Sequence, residues 1–185
     1  MIGKMGYLAI ALAFLWLLLR FLAYKAGLGQ MAFHIGVLLN MFFLVIIPFV
    51  ALRRSIIQST ERQSFIVDLR SALRPGILYV IMVTAMIYVF YQYIDPGFTQ
   101  SKRDIAEKQL MEYVPDEASY AAIQKDDIGL KGISREQYLD KSRKGFDMIY
   151  ATGLQTGGSF IALTFTSIIY GLIISILLRK VLFKV

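Results

Sequence analysis

The side chains able to do chemistry are few, and most fall in one polar stretch, residues 95–147. Asp95, Asp104 and Glu107 stand close to Arg103 in sequence. Carboxylates beside a guanidinium, placed near a membrane surface, could hold and act on the phosphate or sugar of a lipid-linked substrate. Any water-facing loop offers similar residues, so the pattern names no reaction. Asp126-Asp127 could be pictured as a cation site, but adjacent acids point different ways and no ligand series follows; solvated loop charge is the better reading. The sole histidine, His34, excludes any site that needs two, and the absence of cysteine excludes disulfides, thiolate metal sites and thiol nucleophiles. Gly157-Gly158 has neither the preceding strand nor the Lys-Ser/Thr of a phosphate-binding loop. The residues present no catalytic constellation, no metal-ligand set and no cofactor motif, and the chain reads as something other than an enzyme.

The elements that carry these residues are set by hydropathy. The 185 residues are 57% hydrophobic, with a mean hydropathy of +0.58, too apolar for an ordinary soluble domain. A bilayer-crossing helix needs about 20 mostly apolar residues. Four stretches qualify: 5–24, 31–52, 76–94 and a fourth within 148–185. The first is flanked by Lys4 and Lys25, and its apolar run is too long for a signal-peptide core, so it reads as uncleaved. Arg20 lies about 22 Å along that helix, near the far interface, where the expectation is a side chain snorkelling to the headgroups. An inward-facing functional charge is the alternative. Residues 26–30 form a short glycine-containing hairpin. Asn40 then falls near the middle of the second span, where an amide is expected to bond across to a neighbouring helix, and His34 is a polar tip near the outer interface.

Residues 53–74 form a basic connector. Phe65, Ile66, Leu69, Ala72 and Leu73 recur there at helical spacing, with Asp68, Arg70, Ser71 and Arg74 between them. That pattern predicts a short amphipathic helix on the inner leaflet, docking on a partner being the alternative. Pro75 suits the first turn of the third span. Tyr88, Tyr91 and Tyr93 gather at its end, as interfacial tyrosines do, and Asp95-Pro96-Gly97 breaks the helix. The polar stretch reads as three short helices: 102–113 behind a Ser101/Asp104 capping box, a second from Pro115 to Lys125, and a third from Arg135 behind a Ser134/Gln137 capping box with an Ile133/Tyr138 staple. The third leads into the last span, whose bilayer portion is 160–178. Gly157, Thr164 and Gly171 recur every seven residues, with Ser167, Gly171 and Ser175 as a small-xxx-small series beside them. Small residues let helix backbones approach closely, so this face predicts a packing seam, against this chain or another.

Charge fixes the expected orientation. Lys4, Arg53, Arg54, Arg62, Arg70, Arg74, Arg179, Lys180 and Lys184 share their segments with only two acids, Glu61 and Asp68, whereas the 95–147 stretch has nine Lys/Arg against eleven acids. The net charge of +7 is therefore the positive-inside bias of a membrane protein and not a nucleic-acid face. Arg53, Arg54, Arg62, Arg70, Arg74, Arg179 and Lys180 are the predicted membrane-surface cations, facing anionic lipid. The predicted fold is an all-α membrane protein of four transmembrane helices, N-in and C-in, organised as 1–94 (three spans and the connector), 95–147 (a periplasmic helical loop) and 148–185 (the last span and a basic tail).

This layout resembles a known family. The sequences Tyr-Gln-Tyr-Ile-Asp-Pro-Gly-Phe (91–98) and Gly-Leu-Ile-Ile-Ser (171–175), with the hairpin-linked first spans and the charged helical loop, are similar to an uncharacterised group of Bacteroidota inner-membrane proteins, domain of unknown function 4199. The resemblance implies a localisation and a fold, and carries no catalytic residue. Three functions are open: a non-catalytic accessory subunit of an inner-membrane complex, or a homo-oligomer, joined through the polar loop and the seam of the last span; an enzyme or carrier for a lipid-linked substrate at the outer face; and a small dimeric transporter. The near absence of ionisable groups within the spans favours the first, with membrane lipids and other integral subunits as the expected partners.

Overall fold

The computed structural model describes residues 4–59 and 64–183, which are all-helical with no strand among them. The helices are α1 (Lys4–Lys25), α2 (Gly29–Gln58), α3 (Phe65–Val89), α4 (Pro96–Tyr113), α5 (Glu117–Asp126), α6 (Arg135–Ile149) and α7 (Thr152–Phe183). A π-helical turn, Phe90–Ile94, follows α3, and a 3₁₀ turn, Ile128–Leu130, follows α5. Four helical stretches, Lys4–Lys25, Met31–Gln58, Phe65–Ile94 and Thr152–Val181, are long and apolar enough to cross a membrane. The chain is a multi-pass helical membrane protein. It divides into two compact units, residues 1–90 with 156–185, and residues 91–155.

In the first unit α1, α2 and α3 pack on one another. The α1–α2 turn ends as a Schellman motif: Gly27 takes φ +72°, the Leu28 N–H donates to Ala23 O, and the Gly27 N–H donates to Tyr24 O. The buried stripe of α1 is Ala9, Ala13, Trp16, Arg20 and Ala23, a spacing of fours and threes that keeps small residues on one face. Those alanines bring the partner backbones near enough for Trp16 Nε1–H to donate to Gly36 O at 2.8 Å. Between helices in lipid there is little hydrophobic gain, so such close packing and the occasional hydrogen bond must hold the bundle. Leu18, Leu22, Leu38 and Phe42 are exposed, the apolar outer surface a hydrocarbon solvent requires.

Two expectations are corrected here. The predicted surface helix within 53–74 does not exist as a separate element: α2 runs on to Gln58, residues 60–63 (Arg62 among them) lie outside the described residues, and α3 already begins at Phe65. Pro75 lies inside α3 and buried. The first-turn preference of proline is local, and tertiary contacts override it. Ser64 caps the earlier start by accepting from Val67 N–H, and Ala72 is wholly buried in a cluster with Leu52 and Ile174. The second correction is Arg20, which turns into the bundle instead of snorkelling outwards.

The second unit has its own core, in which Leu110, Val114, Tyr120 and Leu139 are buried together. Arg135 clasps it by donating Nη2–H to both Val114 O, at 2.8 Å, and Pro115 O, at 2.9 Å. The Tyr120 hydroxyl donates to Ile133 O at 2.8 Å. The Ser134/Gln137 capping box forms in full. The Ser101/Asp104 one does not, because α4 starts at Pro96, a first-turn position where proline costs no hydrogen bond.

Asp116 opens α5, its carboxylate accepting from Ser119 N–H at 2.8 Å. That backbone hydrogen bond holds its carboxyl below the ordinary carboxylate range. A carboxyl depressed in the folded state contributes stability above its unfolded-state pKa, and the contribution fades as pH falls towards the folded value. Acidification is therefore expected to speed the opening of α5 in the wild type more than in Asp116→Asn, which keeps a capping oxygen without a titrating proton. Nuclear magnetic resonance of the α5 amides across an acid titration checks this; identical profiles would sink it.

Candidate functional site

The intramembrane polar groups come first, because a polar group in lipid is either structural or functional. Asn40 is buried and accepts from the Tyr79 hydroxyl at 2.6 Å, joining α2 to α3. Arg20 is 2% exposed. Its guanidinium carbon lies 4.9 Å from the centroid of the buried Phe90 ring, a cation–π distance, and Phe90 stands edge-on to Tyr24 at 5.9 Å. The sequence carried a signal for this orientation, since Arg20 continues the stripe of Ala9, Ala13 and Trp16. Its depth alone pointed outwards. His34 is exposed beside Phe33.

A second buried charge went unforeseen. Asp68, expected on the polar face of a surface helix, is buried and accepts from Arg179 Nη1 at 2.6 Å. This pair ties the start of α3 to the end of α7, and Arg179 also lies over the Phe65 ring, 6.0 Å from its centroid. Arg179 thus sits in an ion pair instead of facing lipid as a surface cation. The two residues are 111 positions apart, and no local spacing reveals such a pair.

The small-residue face of α7 divides. Ser167, Gly171 and Ser175 are buried, and the first two meet α3 of the same chain. A Cβ on Gly171 would stand 2.6 Å from Leu73 Cδ2, and a Cβ on Gly76 would stand 2.6 Å from Ser167 Oγ. Gly157 and Gly158, further up α7, are exposed with nothing within 4 Å of an added Cβ. Thr164, between that glycine pair and Gly171, is half-buried and donates its hydroxyl to Phe160 O on its own helix.

The remaining predicted cations lie near the end of α2, in the N-terminal half of α3 and near the end of α7. Arg53, Arg70 and Lys180 are exposed, as is Arg74, while Arg54 is half-buried. Arg54 and Arg74 line a concavity of about 690 Å³ together with Lys4 of α1. Lys4 belonged to the basic set but not to the predicted membrane-surface residues.

The acids of the polar stretch are dispersed into ion pairs. Glu107 receives Arg143 at 2.7 Å, and Arg103 pairs with Asp147 at 2.9 Å. Asp127 caps the 3₁₀ turn by accepting from Gly129 N–H. Arg103 and Glu107 are thus each held by another residue, and Arg103 forms no ion pair with Asp95 or Asp104. A shallow cleft of about 400 Å³ borders the Arg103–Asp147 pair. Among the described residues there is no group of three or more His, Cys, Asp or Glu able to hold a metal ion.

No curated protein matches the chain, and no solved structure does. The model of one family, described as protein of unknown function (DUF4199), matches residues 4–180. With nearly its whole length inside that match, the chain belongs to this family of proteins of unknown function.

Proposed function

We propose that the protein is a non-catalytic integral component of the bacterial inner membrane, with both termini cytoplasmic and the α4–α6 unit periplasmic, acting as an accessory subunit of a larger membrane assembly. The observation that supports this reading is the divided face of α7. Its C-terminal part is taken up by α3, whereas Gly157 and Gly158 continue it with no neighbour. A glycine pair in an apolar helix lets a second backbone approach closely, the contact on which helix association in lipid depends. The buried polar groups agree with a scaffold: Asn40, Tyr79, Asp68 and Arg179 bind one another across helices.

Mild-detergent extraction of the tagged full-length protein, followed by mass spectrometry of what co-purifies, tests this. A stoichiometric integral-membrane partner, or a second copy captured by cross-linking, is the expected result. Gly157→Leu is expected to release that partner while leaving the helical content and thermal melt unchanged, because the site is open within the chain. Gly171→Leu cannot serve, since its side chain would strike Leu73. A protein that extracts alone, or a partner indifferent to Gly157→Leu, would overturn the proposal.

A further inference from the structure

The concavity at the end of α1, α2 and α3 has the chemistry of an anion site. Three cations reach it from three helices: Lys4 from the first turn of α1, Arg54 from the last turns of α2, and Arg74 from the N-terminal half of α3. No carboxylate lines it among the described residues. Asp68 is the only described acid of this unit, and Arg179 holds it. None of the three cations has a carboxylate partner among the described residues. Three like charges drawn into one hollow repel one another, and an anion seated between them removes that cost.

The wall supplies one neutral donor group, the Gln58 amide with its two N–H bonds. The Ser55 hydroxyl donates to Ser71 Oγ at 3.3 Å, bridging α2 and α3 at the surface of the hollow, and the Ser71 hydroxyl donates in turn to Val67 O. The rest of the lining is apolar: Met5, Gly6, Ala51, Pro75 and Leu78. Guanidinium and ammonium groups above a hydrocarbon wall match a ligand that joins a phosphate to an acyl chain. Arg53 and Arg70, exposed on α2 and α3, do not line it, so the feature is a convergence of particular side chains and not the general basicity of that end.

We propose that this pocket binds one anionic phospholipid, its phosphate held by Lys4, Arg54 and Arg74 and its acyl chain lying along Met5 and Leu78. The site does not depend on the subunit reading, since it lies wholly within this chain.

The test is native mass spectrometry of the purified full-length protein released from mixed micelles of phosphatidylglycerol and phosphatidylcholine. One phosphatidylglycerol retained per chain, in preference to phosphatidylcholine, is expected. Arg54→Gln/Arg74→Gln should lower that retention about thirtyfold, each cation near an anionic lipid being worth about a fivefold factor. Arg53→Gln/Arg70→Gln removes the same charge outside the pocket and should leave retention within about twofold. Should the first pair fail to fold, Lys4→Gln on an exposed side chain carries the test, with a loss of about fivefold expected. Equal losses in the two double variants would reduce the site to non-specific surface charge and overturn the proposal, as would equal retention of phosphatidylcholine. An added arm with inorganic phosphate separates the sources: displacement of the lipid by millimolar phosphate would mean a soluble anion is the ligand, and would overturn the lipid assignment.

Discussion

Replacing Arg179 with methionine is expected to destabilise the spanning bundle by about 3 kcal/mol, more than the reciprocal change Asp68→Asn. Removing one member of a buried pair strands the other, and the two members are not equally placed. The Asp68 side chain is 2% exposed and that of Arg179 is 19% exposed. Asp68 Oδ2 takes its hydrogen bond from Arg179, and Oδ1 has no hydrogen-bond partner among the described residues. Without the arginine the carboxylate is desolvated with nothing to receive. An arginine deprived of Asp68 still has its partial exposure and a long stem with which to reach water or headgroups, so Asp68→Asn should cost about 1 kcal/mol. The double change Asp68→Leu/Arg179→Met removes both charges and should cost less than Arg179→Met alone. Unfolding in micelles by denaturing detergent, followed by far-ultraviolet circular dichroism, ranks the three. Strict additivity, or greater harm from Asp68→Asn, would show that the pair does not tie α3 to α7.

A leucine at Gly36 is expected to cost about 3 kcal/mol, whereas an alanine there should be nearly neutral. An added Cβ would meet Arg20 Cδ at 3.3 Å and the Trp16 ring at 3.6 Å. The arginine stem is flexible and can yield by the few tenths of an ångström that alanine asks for, and alanine gains helix propensity over glycine. Leucine needs room for three more carbons at a point where two helix backbones are bridged by the Trp16–Gly36 hydrogen bond. Overpacking of that kind costs about 1–3 kcal/mol, and the lost bond adds about 1 kcal/mol. The same unfolding measurement decides it. A leucine variant as stable as the wild type would mean that α1 and α2 are free to separate, and that the buried stripe of α1 is not a fixed contact.

The parts of this architecture that were legible beforehand are those written in local sequence. The four apolar runs announced the spans by length and composition alone. Ser134 and Gln137 announced the start of α6, because a capping box is complete within four residues. The errors arose where distant residues decide. The local preference of Pro75 marks a helix start, but Ala72 and Asp68, packed against α2 and α7, extend the helix ten residues further back. Depth along the helix points Arg20 outwards, but Trp16 four residues before it and Ala23 three after define the face it shares. The acids beside Arg103 looked like a cluster in sequence. Helix geometry sends Glu107 to Arg143 and Arg103 to Asp147. The hollow of Lys4, Arg54 and Arg74 draws on three segments, and only the packed helices bring them together.

Trp16 is the only tryptophan in the chain, and it is nearly buried with its indole N–H bound to a carbonyl of the next helix. The molecule therefore carries a single indole, fixed at the contact between its first two spans and excited alone at wavelengths too long for its eleven tyrosines. Its emission reports on that contact with no background from another indole, and it contains no signal from the 91–155 unit. A loss of structure in that unit leaves the fluorescence unaltered while the circular dichroism changes. Separation of the first two helices shifts both. Ordinary spectroscopy can thus tell which of the two units gives way first, without a label.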